Sequence, residues 1–217
     1  MDNAEQIRAG FRRAFQSRQA WEAHWRDCYR YALPQREAGR QGGRQDDRLF
    51  DATAADAVDQ LAASLLSELT PPWVRWLELC PGTDVPAAER ADIAPALDQA
   101  SGVLQSHFDR SNFAVEVHQC FLDLVTAGTA CLLFEEAPLG EASAFRFTAV
   151  PIHDVVLEEG PAGRLDRTWR KLRLTADQFR TRYGVEPPEG AKDEGALPIG
   201  VLETVQPVAD GYRYVAV

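Results

Sequence analysis

The chain is poor in the patterns by which a sequence most directly advertises chemistry. Basic residues are outnumbered, 23 Lys and Arg against 33 Asp and Glu, for a formal charge of -10 over 217 residues. Such a surface repels phosphates, which disfavours a conventional DNA-binding module. Only four cysteines occur, Cys28, Cys80, Cys120 and Cys131, spaced 52, 40 and 11 positions apart. None forms a CxxC pair, so a cysteine zinc site is excluded and each is expected to be a small buried hydrophobe. Met1 is followed by acidic and polar residues rather than an apolar signal core, and no run approaches the roughly 20 apolar residues of a bilayer span. No membrane association and synthesis in a reducing cytoplasm are expected.

Catalytic signatures are equally scarce. There is no GxxxxGK[ST] or GxGxxG, and the Gly42-Gly43 pair has no strand before it, so no nucleotide cradle is visible. Ser64, Ser67, Ser101, Ser106 and Ser111 all read as helix-filling or capping residues, outside any GxSxG elbow. His118 and Cys120 are two apart on one helix and point to different faces, so with His107 they make a poor metal site. His24 and His153 read as hydrogen-bonded structural histidines. The carboxylate pairs Asp46-Asp47, Glu135-Glu136 and Glu158-Glu159 leave a two-carboxylate, metal-dependent hydrolase formally open, but adjacent positions on a strand face opposite ways. No catalytic residue, cofactor or metal is assigned, and an enzyme is not expected.

What is present is amphipathic helix followed by strand. With 45% hydrophobic residues the chain can build one sizeable core or two small ones. Ile7, Phe11, Phe15, Trp21, Trp25, Cys28 and Tyr29 fall at mostly three- and four-residue spacing, predicting one long helix between Asn3 and Leu33, ended by Pro34. Its other face carries Arg8, Arg12, Arg13, Arg18, Arg26 and Arg30 and reads as a solvated or subunit-facing side. Gln35 to Asp47 lacks the apolar residues to bury surface and is expected to be a loop. Asp51 or Thr53 can cap a second helix bearing Val58, Leu61, Leu65, Leu66 and Leu69, with Asp56 in capping-box position. Pro71 and Pro72 stop it, and the run LTPPWVRWLEL sets Trp73, Trp76, Leu77 and Leu79 on a short extended piece behind a stiff turn.

A third helix is expected from about Pro86 to Arg110, with Ile93, Leu97, Leu104 and Phe108. A fourth, capped by Ser111 or Asn112, bears Phe113, Val117, Phe121, Leu122 and Val125 and ends at Gly128. From Ala130 the period moves toward two: 130–135, 145–150, 155–158 and 164–174 are expected to form a small antiparallel sheet. Thr175 with Gln178 opens one more helix, closed by Gly184, and Val185 to Leu197 is a loop. Strands near 200–208 and 212–217 flank Asp210-Gly211, a hairpin dipeptide. The chain ends inside that last strand, as expected of a piece of a longer protein. The expected class is α+β, N-terminal helices packed with a small antiparallel sheet, helical over 1–128 and mainly β over 129–217.

Three segments, in this order, resemble one family. WRDCYRYALPQREAG at 25–39 is similar to an N-terminal helix ending in Tyr-x-Leu-Pro. LFDATAADAVDQLAASLLSELTPPWVRWLEL at 49–79 combines an Asp-x-Thr-Ala helix start with a Leu-Thr-Pro-Pro-x-x-x-Trp ending. SNFAVEVHQCFLDLVTAGTACLLFEE at 111–136 continues through FRFTAVPIHDVVLEEGPAGRLDRTWRKLRLTADQF at 145–179, a strand, a hairpin and a Thr-capped helix. Together they cover about half of the chain and resemble the head-to-tail connecting (portal) proteins of short-tailed phages.

The resemblance implies a structural subunit of a twelve-membered ring at one capsid vertex, assembled in the host cytoplasm and carried in the virion. Its partners would be copies of itself, terminase, scaffold, capsid and tail adaptor proteins, with double-stranded DNA passing through non-specifically. The part present would be the wing, before the stem, clip and crown. Tyr31, Pro71, Pro72, Trp73 and Trp76 are the candidate assembly anchors, with plain intrachain packing as the alternative for the aromatics. The arginines of the first helix are candidate inter-subunit partners of neighbouring acids. A net negative channel would let DNA slide rather than hold it. The competing readings are a non-phage cytoplasmic adaptor and, behind it, the metal-dependent hydrolase.

Overall fold

The computed structural model describes residues 4–34, 51–191 and 197–217. The loop expected over Gln35–Asp47 and residues 192–196 of that expected over Val185–Leu197 lie outside the described residues. The element order is α1 (Ala4–Ala32), α2 (Thr53–Leu69), α3 (Ala87–Arg110), α4 (Phe113–Ala127), β1 (Cys131–Glu136), β2 (Phe145–Val150), β3 (Val155–Glu159), β4 (Leu165–Leu174), α5 (Ala176–Tyr183), β5 (Ile199–Val208) and β6 (Gly211–Ala216). Short 3-10 turns occupy Ile152–Asp154 and Glu189–Ala191. The class is α+β, and every strand pairing is antiparallel.

The strands form two sheets, β1-β2 and β3-β4-β5-β6, where one small sheet and a separate hairpin were expected. Pro151 ends β2 and the 3-10 turn redirects the chain before β3 begins. The chain divides into two compact units, residues 1–24 with 151–217, and residues 25–150, so α1 contributes to both.

In the unit of 1–24 and 151–217, the N-terminal part of α1 lies on the four-stranded sheet. Its core is Ala14, Val156 and Trp169, with Phe11, Phe15 and Leu202 packed around them. A Cβ at Gly10 would stand 3.3 Å from the Trp169 ring, so the missing side chain sets how closely helix and sheet approach. Thr175 and Gln178 form the expected capping box of α5, and Gly184 ends that helix in the left-handed region.

In the unit of 25–150, α2 packs on α4 through Val58, Ala62 and Leu122, joined by Ala32, Leu33, Phe121 and Val125. Gly128 caps α4 at φ 75°, as expected. The N-terminal caps differ from expectation. At α2 the Asp51 carboxylate accepts the Thr53 N–H at 2.6 Å, so no Thr53-Asp56 capping box closes the helix. At α4 the Ser111 hydroxyl accepts the Phe113 N–H at 3.1 Å, while Asn112 is spent on β2.

Asn112 accepts the Phe147 N–H at 2.9 Å and donates to the Phe147 carbonyl at 2.8 Å; Glu116 accepts the Ala149 N–H at 2.7 Å. Asn112, just before α4, and Glu116 within it thus satisfy backbone groups along β2 that would otherwise be a bare edge of a two-stranded sheet. Cys120 is buried and Cys28 and Cys131 half-buried, but Cys80 is exposed, contrary to expectation. It follows the extended segment, just before Pro81, where there is little packing around the backbone.

Candidate functional site

The Pro-Pro turn lies in the unit of 25–150 and separates the two tryptophans that follow it. The Thr70 N–H donates to the Leu66 carbonyl at 3.1 Å, closing α2, and Pro71 then bars another turn of helix. Trp73 emerges 74% exposed, with Val74 beside it at 55%. Trp76, three residues on, turns inward: its ring stacks on Phe113 at 5.4 Å and meets the edge of Phe108 at 5.0 Å. Those rings continue into Phe145 and Phe147, and both of these reach Phe134. Trp76 therefore packs within the chain, and Trp73 stands exposed.

The strip after Trp73 is fastened along α3. The Leu79 N–H donates to the Ser101 hydroxyl at 2.8 Å, which itself donates to the Leu97 carbonyl at 2.8 Å. Ser101 is fully buried, so its role goes beyond helix filling. Arg75 pairs with Asp98 at 2.7 Å across exposed surface, a contact of small energetic weight. Pro71 is half-buried and Pro72 exposed.

Tyr31 is 55% exposed, with the Arg30 guanidinium 5.9 Å from its ring. The buried tyrosine of that turn is Tyr29, whose hydroxyl donates to the buried Asp123 at 2.8 Å. Of the α1 arginines, Arg8, Arg12, Arg13 and Arg26 are exposed. Arg18 is not available to a neighbour. It is 9% exposed and donates to the carbonyls of Ile152 at 2.9 Å, His153 at 3.2 Å and Val155, and to Glu22. Its planar fork gathers the carbonyls of the 3-10 turn, a task no lysine would perform equally.

A dense polar cluster lies in the unit of 1–24 and 151–217 and centres on Glu203 of β5. The carboxylate is 5% exposed and one oxygen accepts from Arg182 Nε at 2.8 Å, the Tyr183 hydroxyl at 2.9 Å and the Tyr214 hydroxyl at 2.7 Å. Arg170, its cross-strand neighbour on β4, stands 3.7 Å from the other oxygen. Burial alone would raise the Glu203 carboxyl; the donors from Tyr214, Arg182 and Tyr183 outweigh it and hold the group below its ordinary value. Burial, reinforced by the hydrogen bond to this anion, pushes both Tyr183 and Tyr214 above the usual tyrosine range. The two hydroxyls stay protonated donors, so the cluster is a fixed clasp between α5, β4, β5 and β6.

His107 accepts the Ala144 N–H through Nδ1 at 3.1 Å. Among the described residues no three His, Cys, Asp or Glu side chains are grouped to hold a metal, and no helix is long and apolar enough to cross a membrane. Sequence reasoning did not single out Arg18, Asp123 or Glu203. The one available signal was Glu203 itself, a charge at an inward position of the alternation Val201–Glu203–Val205.

Residues 4–194 match the family described as "Bacteriophage head to tail connecting protein". The chain is also similar to a protein named "Probable portal protein" from Bordetella phage BPP-1, 24% identical over 207 residues. That alignment covers 89% of this chain and 36% of the relative, so the chain spans about a third of the relative's length.

Proposed function

The chain belongs to the bacteriophage head-to-tail connecting protein family, and from that premise we propose that it is the wing part of a phage portal subunit, helical over 1–128 and mainly β over 129–217. The match over residues 4–194 is the observation that carries this reading. The protein's role is structural: copies associate into a ring, twelve in the full assembly, at one vertex of the virion. Terminase, scaffold, capsid and tail adaptor proteins are its partners, and DNA passes through without sequence-specific contact. The charge of -10 suits that passage, since a surface poor in cation contacts does not retain phosphates.

Within this reading Trp73 is the assembly anchor, supported by Pro71 and Pro72, which fix its direction, and flanked by Val74. A tryptophan three-quarters exposed on a stiff turn contributes little to its own fold and much to an interface that covers it. Tyr31 and the exposed arginines Arg8, Arg12, Arg13 and Arg26 are the secondary candidates. Trp73→Ala in the full-length protein is expected to leave the circular dichroism spectrum and melting temperature unchanged and to lower ring yield in mass photometry. Unchanged ring yield removes Trp73 from the interface. Wild-type protein that stays monomeric under all assembly conditions overturns the portal reading itself.

A further inference from the structure

Two polar atoms in the core between α1 and the four-stranded sheet lack partners, and they sit on neighbouring side chains. Trp169 of β4 and Thr204 of β5 are cross-strand partners, 3% and 1% exposed. Among the described residues neither the Trp169 indole Nε1 nor the Thr204 Oγ1 makes a hydrogen bond. The reciprocal bonds of Leu202 with Val217, at 2.9 and 3.0 Å, fix which way β5 turns its backbone groups. By the antiparallel alternation Thr204 then bonds toward β6. The rung between Trp169 and Thr204 is therefore a non-hydrogen-bonded one, where Cα atoms come within about 4.5 Å and side chains stand closest. Both atoms lie inside one compact unit and are closed off from solvent there, so their burial owes nothing to an open strand edge.

The indole is placed by α1. Its Cζ2 lies 3.3 Å from where a Cβ would stand at Gly10, and Cζ2 is bonded to the ring carbon that carries Nε1. The N–H half of the ring is thus the part closest to α1 at Gly10. The side chains packed with it, Phe11, Ala14, Phe15, Val156 and Leu202, offer only hydrocarbon. An indole N–H and a hydroxyl left unpaired there each bear the full cost of desolvation. The two groups have complementary needs: Nε1–H requires an acceptor, and Oγ1 can take a donor. A ligand that serves both must accept and donate at once and be small enough for a packed core, and water is that species.

We propose that this core holds a binding site for one buried water, which accepts from the Trp169 Nε1–H and donates to the Thr204 Oγ1. The water ties β4 to β5 at a rung that has no backbone hydrogen bond of its own, and it fixes the indole against which α1 packs. Threonine suits position 204 because valine would fill the same volume without an acceptor. The site belongs to the fold of the unit of 1–24 and 151–217 and does not rest on the portal reading.

The test uses the full-length protein. A crystallographic or electron-microscopy map at a resolution that shows ordered water is expected to hold a peak about 2.7–3.2 Å from both Nε1 and Oγ1. Thr204→Val keeps the shape of the side chain and favours a strand at least as well, so in a dry core it would raise the melting temperature by replacing an unpaired hydroxyl. With the water in place it removes one of that water's two partners, and the melting temperature is expected to fall by roughly 3–6 °C. Melts are compared at one protein concentration, so that assembly does not shift them. A map with no peak beside either atom, or with Nε1 and Oγ1 bonded directly at about 3 Å, overturns the water site. A Thr204→Val form that melts above the wild type overturns it as well. All of these outcomes leave the self-assembly reading standing.

Discussion

Each of the two compact units is held together internally, and by different means. In residues 25–150 the joint between α3, α4 and the β1-β2 hairpin is a run of rings, Trp76, Phe108, Phe113, Phe134, Phe145 and Phe147, with centroid separations from 4.8 to 6.4 Å between neighbours. In residues 1–24 and 151–217 an aromatic core remains around Trp169, but ionised groups do much of the fastening: Arg18 gathers three carbonyls and Glu203 collects three donors. A ring cluster tolerates loss at its rim and suffers at its centre. A charge cluster fails as soon as either sign is removed, because its partners stay buried.

The largest effect should come from the centre of the ring cluster. Phe147 is 5% exposed and touches four other phenylalanines, so Phe147→Ala is expected to destabilise the protein by about 3–5 kcal/mol. Phe134 belongs to the same cluster but is 57% exposed, and Phe134→Ala should cost well under half as much. Urea unfolding followed by tryptophan fluorescence measures both. Equal losses at the two positions would show that the cluster has no centre.

The charge cluster should show itself in pH dependence rather than in volume. Glu203 is held below its ordinary carboxyl value in the folded protein. A depressed folded value contributes stability that is complete above the unfolded carboxyl range near 4.3 and is lost as pH falls through the folded value. Wild-type stability should therefore decline on acidification below about pH 4. Glu203→Gln keeps the shape, removes the anion from three donors, and is expected to cost about 1.5–3 kcal/mol at pH 7. Its thermal melts should be flatter across the acid range; a variant that matches the wild-type acid profile would place the clasp's stabilisation elsewhere.

The same contrast explains how much was legible in the sequence. Ring positions carry the periodicity, so the helix boundaries at Arg110 and Ala127, the strand 145–150 and the Gly128 and Gly184 caps follow from spacing and turn chemistry. The α+β class follows too. The partition into two sheets did not, because it depends on a 3-10 turn whose carbonyls are held by Arg18, 134 or more positions away in the chain. Trp73 and Trp76 also read alike: three residues apart behind a Pro-Pro turn, they take opposite directions, and only the position of Phe108 and Phe113 decides which turns inward. Arg18 was grouped with its exposed neighbours because all six arginines share one charge and one helix. Position relative to the buried stripe of Ile7, Ala14 and Tyr29 separates it from them.

Two helical glycines give the finest test of the comparison. Gly10 in α1 and Gly102 in α3 both occupy helix interiors, where Gly→Ala gains roughly 0.8–1 kcal/mol from backbone entropy alone. At Gly102 an added Cβ meets nothing within 4 Å, so Gly102→Ala should realise that gain in full, a rise of a few degrees in melting temperature. At Gly10 the added carbon stands 3.3 Å from Trp169 Cζ2, in the core that α1 makes with the sheet. The ring is 3% exposed and has little room to yield, so overpacking offsets the entropic gain and Gly10→Ala should be neutral or destabilising. If both alanines stabilise equally, α1 moves off the Trp169 ring at negligible cost, and Gly10 is then not what sets the helix-to-sheet distance.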